Sequence, residues 1–141
     1  MDYDLWLRVA TSRPIRRVEK VLAFYRHHAE GQITSQAWRQ AENVWRVKKN
    51  FIQKFPERVS HLAPGRLRDL VDGALLYRGY DAYWRRDVIS ARKIFRMSLK
   101  TGSWQFKDLR YLLPALLPQG LYFWLIQKAD QRTDWVSGSS K

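Results

Sequence analysis

Side chains that could do chemistry are few in this sequence and gather near its N-terminus. Two carboxylates, Asp2 and Asp4, stand two residues apart, and residues 25–28 read Tyr-Arg-His-His. Paired carboxylates could act as a general acid and base, but positions i and i+2 of a helix point in different directions, so such a pair is not implied. By residue type alone, Asp2 is typical of a helix N-cap, and Arg26 and His28 are ordinary exposed residues at a strand end.

Composition excludes most other catalytic templates. The 141 residues include no Cys, which rules out a disulfide framework, a thiolate nucleophile and a Cys-based metal site. Three His, two of them adjacent, leave little for a transition-metal cage, and we assign no metal ligands. Gly65 and Gly73 are isolated and carry no phosphate-loop pattern, and no HExxH-like helix is present.

The net charge and the aromatic content limit the classes to which the protein can belong. Lys and Arg number 26 against 13 Asp and Glu, and the formal net charge of +13 favours polyanions such as nucleic acid, phosphorylated molecules or an anionic membrane. Seven Trp, seven Tyr and six Phe supply a hydrophobic core for a chain whose length suits one domain at most. This composition argues against wholesale disorder and does not choose among the polyanions.

The elements that must position these residues are predicted to be mainly helical. Residues 2–10 form a short helix that a proline ends. A small β element follows near residues 15–26, with a strand over residues 21–26. Ser35 then caps a helix that runs to about Phe55. Its cations lie largely off the apolar stripe and are interpreted as a solvated face: Arg39, Arg46, Lys48, Lys49 and Lys54.

Two further helices are predicted to pack as an antiparallel hairpin. The first opens at Pro64, and the second has Asp87 as its N-cap and ends at Gly102. Three residues have the small-small-aromatic spacing of a tetratricopeptide repeat: Gly79, Ala91 and Phe95. The predicted fold class is therefore mainly α, a helical bundle with one tetratricopeptide-like helical hairpin and a small β element near the N-terminus.

The C-terminal region is apolar on all sides. Residues 108–117 and 121–129 are predicted to form two helices separated by prolines and a glycine. Such a surface must be covered, either by the core of the hairpin or by a membrane or partner domain. Residues 135–141 have the composition of a frayed tail.

The N-terminal motifs follow one another in a recognisable order. Residues 2–10 read Asp-Tyr-Asp-Leu-Trp-Leu-Arg-Val-Ala, residues 24–28 read Phe-Tyr-Arg-His-His, and residues 31–35 read Gly-Gln-Ile-Thr-Ser. This order resembles the end of the catalytic domain in family-two glycosyltransferases of the inverting GT-A type. In that family a Glu-Asp pair precedes an aromatic, Leu-rich helix containing Arg, and a Tyr-Arg-x-His segment precedes a Ser-containing loop. Residues 36–129 look like the helical C-terminal extension of some members.

The resemblance implies roles for matching residues. Asp2 matches the base that takes the proton from the acceptor hydroxyl as it attacks the anomeric carbon. Arg26 and His28 match a mobile substrate-binding loop that closes over the nucleotide sugar and offsets charge on the leaving diphosphate. By the same matching, Tyr25 is a packing residue, and Arg8 forms an ion pair that orients the helix.

Departures from the family pattern shape the expected function. Met1 stands where the family has Glu, and the family's nucleotide-binding βαβ half and its Asp-x-Asp metal site are absent. We therefore expect a C-terminal fragment, inactive alone, whose partner is the missing catalytic half. The resemblance implies a nucleotide sugar and a divalent metal for the intact enzyme, with no cofactor in this chain. The predicted domains are a catalytic-domain remnant, a helical extension and a flexible tail: residues 1–34, 35–130 and 131–141.

The alternative is a free-standing basic helical module that binds nucleic acid, an anionic membrane surface or a protein partner. Only the positive charge supports nucleic-acid binding. The cations are spread over every segment, whereas a recognition helix would concentrate them. A protein adaptor would rest on one repeat, which offers little concave surface. The acidic N-terminus lacks a secretory signal, and no apolar run approaches about 18 residues. The expected location is cytoplasmic, with the inner membrane surface as a peripheral site.

Overall fold

The computed structural model describes residues 2–24 and 36–137, and these residues are mainly helical. Their α-helices are α1 (Asp2–Ser12), α2 (Ala37–Lys54), α3 (Pro56–Val59), α4 (Pro64–Arg68), α5 (Ala74–Trp84), α6 (Val88–Thr101), α7 (Leu109–Leu112) and α8 (Gln119–Ser137). A π-helical segment, Asp69–Gly73, joins α4 to α5, and 3-10 turns at Phe106–Asp108 and Pro114–Leu116 flank α7. The mainly α part of the predicted fold class is confirmed.

The predicted β element near residues 15–26 is wrong wherever the structure describes it. Residues 15–24 form neither helix nor strand, and the end of the predicted strand, residues 25–26, lies outside the described residues. A strand needs a neighbouring strand to pair its backbone N–H and C=O groups. No strand forms anywhere in the described residues, so the apolar side chains of this segment stay exposed, with Phe24 95% exposed.

The chain divides into two compact units, Met1–Leu75 and Leu76–Lys141. In the N-terminal unit, α1 and the π-helical segment both pack against α2. The indole N–H of Trp45 donates a 2.7 Å hydrogen bond to Oδ1 of Asp72, and Nζ of Lys48 donates to the carbonyl oxygen of Leu70, also at 2.7 Å. These two bonds join the middle of α2 to the π-helical segment.

The core of the C-terminal unit is built on α6. Its buried side chains include Ala91, Ile94 and Phe95, and α7 and the second 3-10 turn pack against the helix. Both predicted ends of α6 are confirmed: the Asp87 carboxylate accepts the N–H of Ser90 at 3.0 Å, and Gly102 ends the helix with φ of 68°. A left-handed residue of this kind suits glycine because it has no Cβ.

Aromatic rings of α5, α6 and α7 form a cluster in this unit. Tyr80 contacts Phe95 and Tyr111 edge-on, with centroid separations of 5.4 and 5.1 Å. Gly79 of α5 faces the Phe95 ring so closely that a Cβ would stand 2.7 Å from Cε1. The small residue thus allows the close approach that its spacing predicted, while the tetratricopeptide-like hairpin as a whole remains a prediction.

The apolar C-terminal segments divide between core and surface. Leu112, Ala115, Tyr122 and Ile126 are buried in the C-terminal unit. Four other apolar side chains are about half exposed: Leu113, Leu116, Leu121 and Trp124. The first predicted helix, residues 108–117, is divided into α7 and two 3-10 turns, and α8 extends from Gln119 through Ser137, beyond both predicted ends of the second helix. The buried residues support packing in the core, and the exposed residues support a surface that a membrane or partner domain covers.

Candidate functional site

Asp2, the predicted catalytic base, is the first residue of α1. The predicted loop residues Arg26 and His28, with Tyr25 beside them, lie outside the described residues. Asp2 is therefore the one predicted site residue that the described part of the chain places in an element. At the C-terminal end of α1, Oγ1 of Thr11 donates a 2.7 Å hydrogen bond to the carbonyl oxygen of Arg8.

Asp4, the second carboxylate, is engaged within α1. Its Oδ2 lies 2.9 Å from Nη2 of Arg8, one helical turn later, and both side chains are about half exposed. Such an i, i+4 ion pair adds a few tenths of a kcal/mol to the helix. The predicted ion pair of Arg8 is present, and both of its members lie within α1.

A shallow groove lies beside this ion pair, between α1 and the C-terminal half of α2. It encloses about 70 Å³. Its lining combines a carboxylate, cations, an amide and two aromatic rings: Asp4, Arg8, Asn50, Phe51, Lys54 and Phe55. The two Phe rings are 5.3 Å apart, and Nζ of Lys54 lies 5.7 Å from the centroid of the Phe55 ring. Donors, an acceptor and apolar faces side by side are suited to a polar, hydroxylated ligand.

Sequence reasoning did not assign Asn50, Phe51 or Phe55 to a site. Phe51 and Phe55 are four residues apart, the spacing at which side chains meet on one helix face, and this signal was available. Their placement beside Asp4 and Arg8 depends on packing between helices about 45 positions apart in the sequence, which no local pattern encodes.

Most cations of α2 are engaged with groups of the protein. Arg46 pairs with Glu42 at 2.6 Å, and Lys49 lies 3.9 Å from Asp72 and 4.4 Å from the centroid of the Trp45 ring. Lys48 binds the Leu70 carbonyl as described above. The contacts of Lys48 and Lys49 join α2 to the π-helical segment, whereas the Arg46–Glu42 pair lies within α2.

No known protein places this chain in a family. Comparisons with protein-family models, curated proteins and solved structures give no match. The resemblance to family-two glycosyltransferases therefore rests on the residues of the N-terminal motifs themselves.

The described residues contain neither a metal-binding cluster nor a helix that could span a membrane. Residues 2–24 and 36–137 contain no group of three or more His, Asp or Glu that could hold a metal ion. Across the same ranges, every helix is too short or too polar to cross a bilayer.

Two phenols in the C-terminal unit have shifted ionisation. Burial, together with a 2.7 Å hydrogen bond donated to Oδ1 of Asp108, raises the pKa of Tyr80 far above its usual value. Burial also raises the pKa of Tyr122 to about 12, with the nearby Tyr83 contributing. Both phenols keep their protons at neutral pH, and the hydroxyl of Tyr80 donates its proton to Asp108.

Proposed function

We propose that this chain is the C-terminal part of a nucleotide-sugar-dependent glycosyltransferase, with Asp2 as the catalytic base and the residues from 36 onward as a helical extension. The observation that carries the proposal is the ordered motif set of residues 2–10, 24–28 and 31–35. The start of α1 at Asp2 supports it. The N-terminal end of a helix favours the ionised form of a carboxylate, which is the form a general base needs.

The Asp4–Arg8 ion pair supports the choice between the two carboxylates. Arg8 engages Asp4 at 2.9 Å, so the second carboxylate already has a structural partner within the helix. Proton transfer from an acceptor hydroxyl is accordingly assigned to Asp2, two positions earlier in the chain. The groove lined by Asp4, Asn50 and Lys54 offers polar groups for the acceptor.

The nucleotide sugar and its divalent cation are proposed to bind a catalytic half that lies outside these 141 residues. That half is the proposed partner of this chain. When bound, the cation would neutralise charge on the diphosphate leaving group. Arg26 and His28 remain the proposed substrate-binding loop residues by their match to the family motif.

The test begins with the gene sequence upstream of the Met1 codon, where an in-frame nucleotide-binding half with an Asp-x-Asp motif is expected. In that longer protein, Asp2→Asn is expected to lower kcat at least 100-fold, roughly the contribution of a general base, with binding of the nucleotide sugar retained. The matched control is Asp69→Asn, which changes an exposed carboxylate of the π-helical segment and should keep full activity. A gene without a transferase sequence upstream, or an Asp2→Asn enzyme with unchanged kcat, would refute the proposal.

A second candidate function, adhesion to an anionic membrane surface, is favoured by one face of α8. Leu121 and Trp124 are each 53% exposed, and Nζ of Lys128 lies 4.7 Å from the centroid of the Trp124 ring. These three positions are three and four residues apart and so share a helix face. An aromatic ring and aliphatic side chain beside a cation suit the boundary between lipid tails and anionic headgroups.

Sedimentation with lipid vesicles tests this second function. Binding to vesicles containing phosphatidylglycerol is expected, with weaker binding to phosphatidylcholine alone. The double variant Leu121→Ser, Trp124→Ala should lose most of it, whereas Trp84→Ala, which removes another exposed indole of the same unit, should not. Equal loss in both variants would contradict a role for this face. Binding through many nucleic-acid phosphates would instead collapse steeply between low and moderate salt.

A further inference from the structure

The C-terminal unit contains a cavity that neither candidate function uses. It encloses about 140 Å³ and is lined by Tyr83, Arg110, Tyr111, Pro114, Tyr122 and Ile126. A cavity of about 150 Å³ lined by apolar side chains accepts benzene in an engineered protein. The space in this unit is therefore enough for a single six-membered ring.

The walls of this cavity are flat and largely apolar. The rings of Tyr83 and Tyr111 meet edge-to-face, with centroids 5.2 Å apart and an interplanar angle of 77°. Pro114 and Ile126 complete the apolar surface. Surfaces of this kind favour a planar ring over a fully hydrated polar ligand.

Tyr122 is one of the lining residues, and it carries an unpartnered hydroxyl. Its side chain is 1% exposed, and its hydroxyl has no hydrogen-bond partner among the described residues. Leaving a buried hydroxyl unpaired is unfavourable, because the group has lost its hydrogen bonds to water. Because burial raises the pKa of this phenol to about 12, the hydroxyl is protonated at neutral pH. The hydroxyl can therefore donate a hydrogen bond to an acceptor oxygen of a ligand.

Arg110 supplies positive charge to the same cavity. It is the exposed member of the lining, and its guanidinium carbon lies 4.7 Å from the centroid of the Tyr111 ring. Within residues 2–24 and 36–137, no carboxylate forms an ion pair with it. The lining contains no acidic side chain. The positive charge of Arg92 also reaches Tyr122, where it favours the ionised phenol and so opposes part of the effect of burial on its pKa. The electrostatics therefore favour an anion.

We propose that this cavity binds a small planar carboxylate, one six-membered ring bearing a single carboxylate group. The ring occupies the space between Tyr83, Tyr111 and Pro114. The carboxylate accepts a hydrogen bond from the hydroxyl of Tyr122 and pairs with the guanidinium of Arg110, a charge-assisted contact of the kind that Arg makes with carboxylates. The proposal does not depend on the glycosyltransferase assignment.

Titration of the full chain by two-dimensional ¹⁵N–¹H NMR tests the proposal with three probes. Benzoate has the ring and the charge, benzamide has the ring without the charge, and acetate has the charge without the ring. We expect benzoate at millimolar concentration to shift amide signals around residues 110–126. Benzamide and acetate should each bind at least about tenfold more weakly, because each lacks one of the two favourable contributions.

Two variants and two matched controls locate the binding. Tyr122→Phe removes a hydroxyl that has no partner in the described structure, so the fold should be retained while benzoate binds about tenfold more weakly. Arg110→Gln should weaken benzoate by a similar factor and leave benzamide unchanged. Tyr77→Phe and Arg96→Gln change exposed residues outside the cavity and should leave benzoate binding unaltered.

Three outcomes would overturn the proposal. These are an absence of benzoate-induced shifts near Tyr122, equal affinity for benzoate and benzamide, and unchanged benzoate affinity in Tyr122→Phe. The first result would show that the ring does not bind at the cavity. The second would show that the charge does not contribute to binding, and the third that the buried hydroxyl does not contribute.

Discussion

Gly79 of α5 lies directly against the ring of Phe95 in α6. A Cβ at residue 79 would stand 2.7 Å from Cε1 of Phe95 and 3.2 Å from Cγ2 of Ile94. Phe95 is fully buried and cannot swing toward solvent. The absence of a side chain at residue 79 therefore sets the distance between these two helices.

Gly79→Ala is expected to destabilise the chain despite the better helix propensity of alanine. The added methyl overpacks a rigid aromatic contact, which costs about 1–3 kcal/mol in typical cores. Urea unfolding followed by circular dichroism measures the change. Gly120→Ala is the control in the same unit: a Cβ there meets nothing within 4 Å, so the substitution should be neutral or stabilising by up to about 1 kcal/mol. Equal effects in both variants would argue against the close contact.

Asp108→Ala is expected to be among the most destabilising single changes in the C-terminal unit. Asp108 is buried. Its Oδ1 accepts a 2.7 Å hydrogen bond from the hydroxyl of Tyr80, and its Oδ2 accepts one of 2.7 Å from the backbone N–H of Gln105. Losing two charge-assisted hydrogen bonds should cost about 2–4 kcal/mol. Asp87→Ala, which removes the N-cap of α6, should cost only about 1 kcal/mol. Comparison of the two free energies of unfolding checks the ranking, and a smaller loss for Asp108→Ala would contradict it.

Stability is expected to fall at alkaline pH because two tyrosines resist ionisation in the folded chain. The pKa of Tyr122 is raised to about 12 by burial, above the value of about 10 for an exposed phenol, and the pKa of Tyr80 is raised further by burial and by Asp108. The folded chain thus holds these protons more tightly than the unfolded chain. The resulting stability is fully present below about pH 10 and is lost as pH rises toward and through the folded-state pKa values.

Absorbance of tyrosinate against pH measures this ionisation directly. Wild type should show a late phase that Tyr122→Phe reduces, and the free energy of unfolding of that variant should decline less steeply above pH 10, the ordinary pKa of tyrosine. Tyr77→Phe removes an exposed phenol and should leave the late phase in place. A late phase of the same size in Tyr122→Phe would assign it to other residues.

Trp45→Phe is expected to loosen the N-terminal unit. The substitution keeps an aromatic ring but removes the indole N–H that donates to Asp72 at 2.7 Å, which should cost about 1–3 kcal/mol. Hydrogen exchange of α2 and urea unfolding both report the loss. Trp6→Phe in α1, where the indole is 56% exposed, is the control and should change stability by less than about 0.5 kcal/mol. Equal losses would remove the special role of the bond to Asp72.

Much of the local structure could be predicted from the sequence. Asp87 and Gly102 mark the ends of α6 as expected. Arg8 finds Asp4 one turn away. Each of these signals acts within about four residues, so the amino-acid types alone carry the information.

The β element and the groove could not be predicted in this way. Residues 21–24 have apolar side chains that suit a strand, but a strand forms only beside another strand, and none is present in the described residues. The groove joins Asp4 and Arg8 to Phe51 and Lys54. Whether such distant residues meet depends on how α1 packs on α2.

The sequence by itself determined the helical class, the helix ends and the motif order from which Asp2 is proposed as a base. Only the tertiary structure decided which apolar residues are buried: within α8, Tyr122 and Ile126 enter the core while Leu121 and Trp124 remain at the surface. The same packing placed Tyr122 and Arg110 in the lining of one cavity. Helix ends follow from contacts within one turn, whereas burial and cavities follow from contacts between elements, which composition and periodicity do not specify.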